Sequence, residues 1–368
     1  MSSRLAIRLR RTVAAVALSF PSPVFAAKSS ATCTSIAFAT QASLQRHHRR
    51  RQYHSLTQLS AAATSGAFTA PPPPSSKGEA VFDDLDLTAK SSDAIKRNAD
   101  ANAVFCVTGS NRGIGLQFVK SLLQRTKGTV VACCRSPENA SALDAVKVSV
   151  PADERSRLQV LKLDVEDQSS IEKAAETIKS TYGRVDMLLN VAGILGDGKT
   201  TTGPERALSA VDRNWFEKNL AVNVVGPVMF TQALQGLLQT KRRRSKNKEE
   251  GDDPGQRPTA VVANLSARVG SISDNELGGW YSYRISKSAL NQAVRTIAHE
   301  GKRLGFHAIA LHPGTTDTDL SRPFQGNVQN GRLFPVDFTV SQLLDCIESL
   351  DDAHSGGLYD WSGKALPF

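Results

Sequence analysis

The first 78 residues contain no aspartate and no glutamate. Against that absence stand eight arginines and two lysines, a local charge of +10 that equals the net charge of the whole 368-residue chain. Everything from Glu79 onward is therefore neutral in sum, and the isoelectric point near 9.5 belongs to the leader alone. This excludes reading the body as a basic nucleic-acid binder. Cysteine is scarce as well. The five residues Cys33, Cys106, Cys133, Cys134 and Cys346 form no metal-ligand spacing and no disulfide framework, so no metal centre is expected. Cys106 and Cys133 sit in apolar runs and read as inert buried thiols; a redox-sensitive Cys133-Cys134 pair is the alternative. No apolar run approaches the ~20 residues of a membrane span, which argues against a membrane partner.

What the leader does contain is arginine, serine, alanine and threonine, the composition of an organelle transit peptide. Arg4, Arg8, Arg10 and Arg11 alternate with Leu5, Ile7 and Leu9, and Arg49-Arg50-Arg51 precedes Gln52-Tyr53 much as arginine precedes a mitochondrial processing cut. A mitochondrial address is favoured, a plastid address is the alternative, and Val13 to Ala26 leaves a secretory reading open. The prolines at 71–74 mark an extended linker. The expected organisation is a leader and linker over 1–78, disordered or removed by trimming near 53–78, a lead-in over 79–102, and one domain over 103–368.

Residues 104–115, Val-Phe-Cys-Val-Thr-Gly-Ser-Asn-Arg-Gly-Ile-Gly, join an apolar run to a glycine turn and an amphipathic segment. Glycines admit a close approach of backbone N–H groups to a pyrophosphate, and the following helix start favours its charge. Beyond Ala103, strand-like runs at 103–108, 129–134, 158–163, 186–191, 259–265, 306–312 and 357–360 alternate with helical periodicity near 113–125, 168–181, 214–239, 284–304 and 338–350. This alternation predicts an α/β fold with a doubly wound parallel sheet, Rossmann-like, holding its ligand at the carboxyl ends of the strands. A polar insertion, 240–258, carries Lys241-Arg242-Arg243-Arg244 and then Glu249-Glu250 and Asp252-Asp253, and reads as a solvated loop.

Tyr283 and Lys287 stand four apart at a helix start and so share a face. A free phenol, with a pKa near ~10, exchanges protons poorly at neutral pH. A neighbouring ammonium lowers that barrier and lets the phenol serve a carbonyl oxygen.

Together with Thr108-Gly109-x3-Gly113-x-Gly115, Asp164, Asn190-x-Ala192-Gly193, Asn223 and Pro313-Gly314-x3-Thr318, this pair resembles the short-chain dehydrogenase/reductase family from Ala103 to the C-terminus. Within it, Gly270–Asn291, Leu311–Pro323 and Tyr359–Gly363 look like C-factor-like and sniffer-like carbonyl reductases. The resemblance implies that Gly109, Ser110, Asn111, Arg112, Gly113, Ile114 and Gly115 form the cradle of the cofactor pyrophosphate. It implies that Asp164 and Val165 face the adenine, and that Asn190, Ala192 and Gly193 line the cleft. Pro313, Gly314, Thr316 and Thr318 would lie at the nicotinamide end. Tyr283 would be the general acid, Lys287 would bind the ribose and lower the tyrosine pKa, and Asn223 would hold a relay water.

Two positions depart from the family. Its catalytic serine, three residues before a glycine, falls on Ala267 when counted back from Gly270. Ser266, one residue earlier, would face the other side unless the strand bulges; it is carried as a doubtful catalytic residue, with Ser271 as a second possible donor. Val191 replaces the usual second asparagine of the Asn190 motif. Cofactor choice reads from charge. The second strand ends Cys133-Cys134-Arg135 without a carboxylate for a ribose 2′-hydroxyl, and Arg112 and Arg135 suit a 2′-phosphate, so NADP(H) is expected. The expected function is NADPH-dependent reduction of a small aldehyde or ketone, the chain possibly working as a homo-oligomer. A dinucleotide-binding sensor with little turnover and an NAD-linked alcohol dehydrogenase are the rivals.

Overall fold

A computed structural model describes residues 68–76, 78–196, 204–240 and 257–368. The expected leader up to residue 67 and most of the polar insertion lie outside the described residues. The body opens with helix α1 (Ser92–Ala99), then β1 (Val104–Thr108), α2 (Gly113–Arg125), β2 (Thr129–Cys134), α3 (Ser141–Ser149), β3 (Leu158–Lys162), α4 (Gln168–Tyr182) and β4 (Met187–Asn190). The second half contains α5 (Arg213–Leu220), a π-helical turn (Ala221–Val225), α6 (Gly226–Leu238), β5 (Ala260–Leu265), α7 (Tyr281–Leu304) and β6 (Phe306–His312). A small pair, β7 (Thr315–Thr316) with β8 (Leu333–Phe334), precedes α8 (Val336–Glu348), β9 (Leu358–Asp360) and β10 (Ala365–Leu366).

The main sheet runs β10-β9-β6-β5-β4-β1-β2-β3, parallel except for β10. The order reverses between β1 and β4, so their carboxyl ends diverge into a crevice at the point where a nucleotide binds in such folds. Strand alternation divides the core. Phe105, Val107, Val130 and Ala132 face α2, α3 and α8, whereas Val104, Cys106, Val131 and Cys133 face α4, α6 and α7. Both faces being covered explains why the strands read as continuous apolar runs. Cys106, Cys133, Cys134 and Cys346 are all buried free thiols, and burial pushes Cys133 up to about 12, which keeps the vicinal pair in its unreactive form.

At the amino end of the sheet, Asp186 ties the start of β4 to β1. Its carboxylate accepts the Val104 N–H at 2.8 Å and both arms of Arg184, at 2.9 and 2.7 Å.

The sequence pattern placed every long strand. It missed α1, α3 and the short strands β7, β8 and β10, it read α5, the π-helical turn and α6 as one helix over 214–239, and α7 begins at Tyr281 instead of 284. Arg213–Leu238 is also long and apolar enough, by length and composition, to cross a membrane, contrary to the expectation of no such run. In this fold its residues Phe230, Leu234 and Leu238 are buried in the core.

Candidate active site

The glycine turn after β1 is shaped by positions that disfavour or exclude a side chain. Gly109 and Gly113 adopt φ of 63° and 53°, and a Cβ at Gly115 would collide with the Gly109 carbonyl. Thr108 fastens this turn to the end of β4, its hydroxyl accepting the N–H groups of Val191 and Ala192 at 3.0 and 3.1 Å. Ser110 donates its hydroxyl to the Cys133 carbonyl at 3.0 Å. The first turn of α2 has no side-chain cap, so its N–H groups remain available to an anion. Asn111, Arg112 and Arg135 are exposed beside it, and neither guanidinium has a hydrogen bond or ion pair among the described residues. An uncapped helix start, glycines at the turn's closest backbone approaches and two guanidiniums without partners among the described residues fit the phosphates of a dinucleotide.

Asp164 closes its own loop by accepting the Glu166 N–H at 3.1 Å, and Val165 packs where a Cβ on Gly226 would come within 2.7 Å. Asn190 is a strut of the fold, donating to Thr231 at 3.2 Å and to Asn264 at 2.9 Å. Gly193 lies against the Asn223 and Lys287 side chains. A Cβ there would stand 3.2 Å from Asn223 Oδ1 and 3.8 Å from Lys287 Nζ.

Helix α7, which carries Tyr283 and Lys287, starts abruptly. Gly278, Gly279 and Trp280 are all left-handed, with φ of 60°, 65° and 55°, and Trp280 is the only non-glycine at positive φ among the described residues. The helix start has no cap of its own; Glu205 supplies one from a separate loop, accepting the Ser282 N–H at 3.2 Å and the Ser282 hydroxyl, while its carbonyl accepts the Trp280 N–H. Sequence reasoning missed Glu205, because nothing local marks a residue 77 positions from its partner.

Within α7, Lys287 Nζ lies 5.6 Å from the centre of the Tyr283 ring and donates to the Leu265 carbonyl at 2.8 Å. Burial lowers Lys287 to about 7 and pushes the Tyr283 phenol above the ordinary tyrosine range, the reverse of the lowering that the resemblance implies, because desolvation of the phenol outweighs the neighbouring ammonium here. Asn223 sits in the π-helical turn, an irregularity that exposes its side chain to the Gly193–Ile194 loop. Its amide accepts the Ile194 N–H at 2.9 Å and donates to the Ile194 carbonyl and the Ser286 hydroxyl, both at 3.0 Å.

Ser266 does not gain the bulge that would turn it toward Tyr283. The β5–β6 register runs unbroken to Leu265, Ala267 is extended, and the Ser266 hydroxyl donates to Asn291 at 2.6 Å. Ser271 likewise serves its own turn, accepting the Asp274 N–H at 3.2 Å. By alternation, the side opposite Ser266 presents only the Ala267 methyl.

After β6, Gly314 (φ 70°) lets the chain turn where a side chain would strike the Phe334 ring. Thr316 meets the Thr339 hydroxyl at 2.9 Å, and so anchors the flap that β7 and β8 close at its base. The flap returns Thr318 to the glycine turn, within 3.4 Å of a Cβ on Gly113.

The burial of Lys287 has a consequence for stability. Between about pH 7 and the ordinary lysine value of 10.5, the unfolded chain holds a proton that the cofactor-free folded chain has released. Folding stability is expected to rise with pH through that window. Urea unfolding at stepped pH should show this slope in the wild type and its loss in Lys287→Met; equal slopes would contradict it.

The short chain dehydrogenase family model matches residues 103–328. C-signal of Myxococcus xanthus is 33% identical over 187 residues, 50% of this chain and 94% of its own length. Among solved structures, the NADPH-bound carbonyl reductase from chicken fatty liver is 28% identical with a TM-score of 0.60, over 73% of this chain and 99% of that one. Carbonyl reductase Sniffer of Drosophila melanogaster is 26% identical with a TM-score of 0.61, over 73% and 100%. The glycine turn, the switch-point crevice and the convergence of Tyr283, Lys287 and Asn223 agree with those matches: this chain belongs to the short-chain dehydrogenase/reductase family, is an oxidoreductase, and resembles its carbonyl reductases.

Proposed function

We propose that the chain is an NADPH-dependent reductase of small apolar aldehydes and ketones, with Tyr283 as the general acid. The observation that carries this reading is the meeting of Tyr283, Lys287 and Asn223 around Gly193, at the mouth of the crevice that the glycine turn opens. A bound nicotinamide dinucleotide would supply the hydride. The residues of this chain do the rest. Gly109, Gly113, Gly115 and the bare start of α2 hold the pyrophosphate, and Arg112 and Arg135 take the 2′-phosphate. Tyr283 gives its proton to the carbonyl oxygen, Lys287 stabilises the resulting phenolate, and Asn223, held by Ile194 and Ser286, orients the reprotonation route.

The substrate side is aromatic. The Trp280 ring lies 6.3 Å from Tyr283 and 5.3 Å from Phe324 of the flap, centre to centre, which supports an apolar carbonyl compound. Purified protein given NADPH and a panel containing benzaldehyde and acetophenone should consume NADPH with alcohol formation. Binding without any turnover would instead favour the sensor reading, which Ala267 motivates.

Ala267 also yields a quantitative expectation. Without a hydroxyl there, Tyr283 polarises the carbonyl alone. Restoring one in Ala267→Ser is expected to raise kcat roughly tenfold or more, since single oxyanion donors account for about 10²–10³ in rate elsewhere. An unchanged kcat would show that the carbonyl oxygen does not lie on that side. Import into an organelle, mitochondrion before plastid, is also proposed from the acid-free leader; residues 1–67 fused to a fluorescent protein would test it.

A further inference from the structure

Residues 68–76 precede every helix and strand of the body and themselves form neither. Proline has no N–H and a fixed φ, so the run at 71–74 builds no internal ladder and leaves its carbonyls for outside donors. Two arginines take them. Arg332 donates to the Pro72 carbonyl at 3.2 Å, and Arg268 donates to those of Pro74 and Ser75 at 2.9 and 2.6 Å. Upstream, the Phe68 ring packs edge-on against Phe338 and Phe334, with centres 4.9 and 5.9 Å apart.

The placement of these anchors is what matters. Arg332 and Phe334 lie at the base of the flap, 315–334, whose other end carries Thr318 to the glycine turn and Phe324 to Trp280. Arg268 follows Ala267 directly and opens the short turn Arg268–Gly270, which packs on the Lys287 backbone so closely that a Cβ on Gly270 would come within 2.7 Å. Asp274 holds the same guanidinium at 3.1 Å, fixing the loop 268–280 that ends in Trp280. One extended segment therefore grips both loops that border the substrate side, and its hydrogen bonds and ring contacts among the described residues go to those loops and to α8.

We propose that Phe68–Ser76 is a strap that positions the substrate loops 268–280 and 315–334, with Phe68, Arg268 and Arg332 as its positioning residues. The inference rests on the reductase reading for its kinetic consequence only. Preset prolines make the strap cheap to order, because little backbone freedom is lost on docking. It follows that residues 68–76 are part of the working enzyme and not a spacer, and that any maturation cut leaves Phe68 in place. The arginine run at 49–51 lies upstream of that limit.

The test uses the full chain with Phe68→Ala, Arg332→Ala and the double variant, and reads amide hydrogen exchange together with benzaldehyde kinetics. Faster exchange confined to 268–280 and 315–334 is expected, with KM raised about tenfold and kcat nearly unchanged, as for lost uniform binding. Phe68→Leu should restore most of the KM. Unchanged exchange in both loops overturns the proposal. So does faster exchange without a KM change, or a uniform rise through the core with a lowered Tm, which would make the segment merely part of the fold. If the wild type reduces no carbonyl at all, the reductase reading fails while loop exchange still decides the strap.

Discussion

Tyr283→Phe is expected to lower kcat/KM for carbonyl reduction by about 10²–10⁴-fold, the range of a positioned general acid, with NADPH binding retained. Phenylalanine keeps the ring that stands 5.6 Å from Lys287 Nζ and 6.3 Å from Trp280, so packing is preserved and only the proton is lost. Steady-state NADPH consumption gives the rate, and a fluorescence titration gives the NADPH affinity in the same preparation. Equal turnover by the variant would remove Tyr283 from the chemistry. The residual activity also matters, because Ser266 is held by Asn291 and so does not stand in for the lost phenol.

The second large effect concerns the cofactor. Arg112→Ala with Arg135→Ala is expected to weaken NADPH on the order of a hundredfold and to leave NADH nearly untouched. Hydrogen bonds to charged groups are worth about 1.5–3 kcal/mol each, and exposure of both guanidiniums reduces that figure. The reasoning is charge balance. β2 ends on buried Cys134 and exposed Arg135, and the nearest carboxylate, Glu138, comes only four residues on, so the strand end itself offers a free ribose hydroxyl no acceptor. Isothermal titration with both cofactors checks the ratio. An unchanged NADPH-to-NADH preference in the double variant would contradict the assignment.

Legibility in the sequence followed distance along the chain. The glycine turn and the Tyr283–Lys287 pair could be read because their meaning lies in spacings of a few residues. The long strands could be read because both sheet faces are covered, which makes each a continuous apolar run. Helices α1 and α3 escaped notice because they are short, so tertiary contacts decide whether such segments coil at all. The left-handed backbone of Trp280 after Gly278-Gly279 went unread, because it is set by the Glu205 loop that accepts its N–H. Ser266 was a question of strand register, where one residue reverses a side chain, and the pairing of Leu265 with Leu311 answers it. Glu205 at the start of α7 and the strap's grip through Arg268 and Arg332 were out of reach. Their partners lie 77, 194 and 260 residues away. No local pattern encodes such pairs.

The measurement to make is product analysis after reaction of benzaldehyde with NADPH deuterated at the nicotinamide C4. Benzyl alcohol bearing deuterium on its carbinol carbon, formed by the wild type and nearly absent with Tyr283→Phe, is the expected result. NADPH bound tightly while the aldehyde is recovered unchanged, across the whole carbonyl panel, would contradict a reductase built on Tyr283 and Lys287.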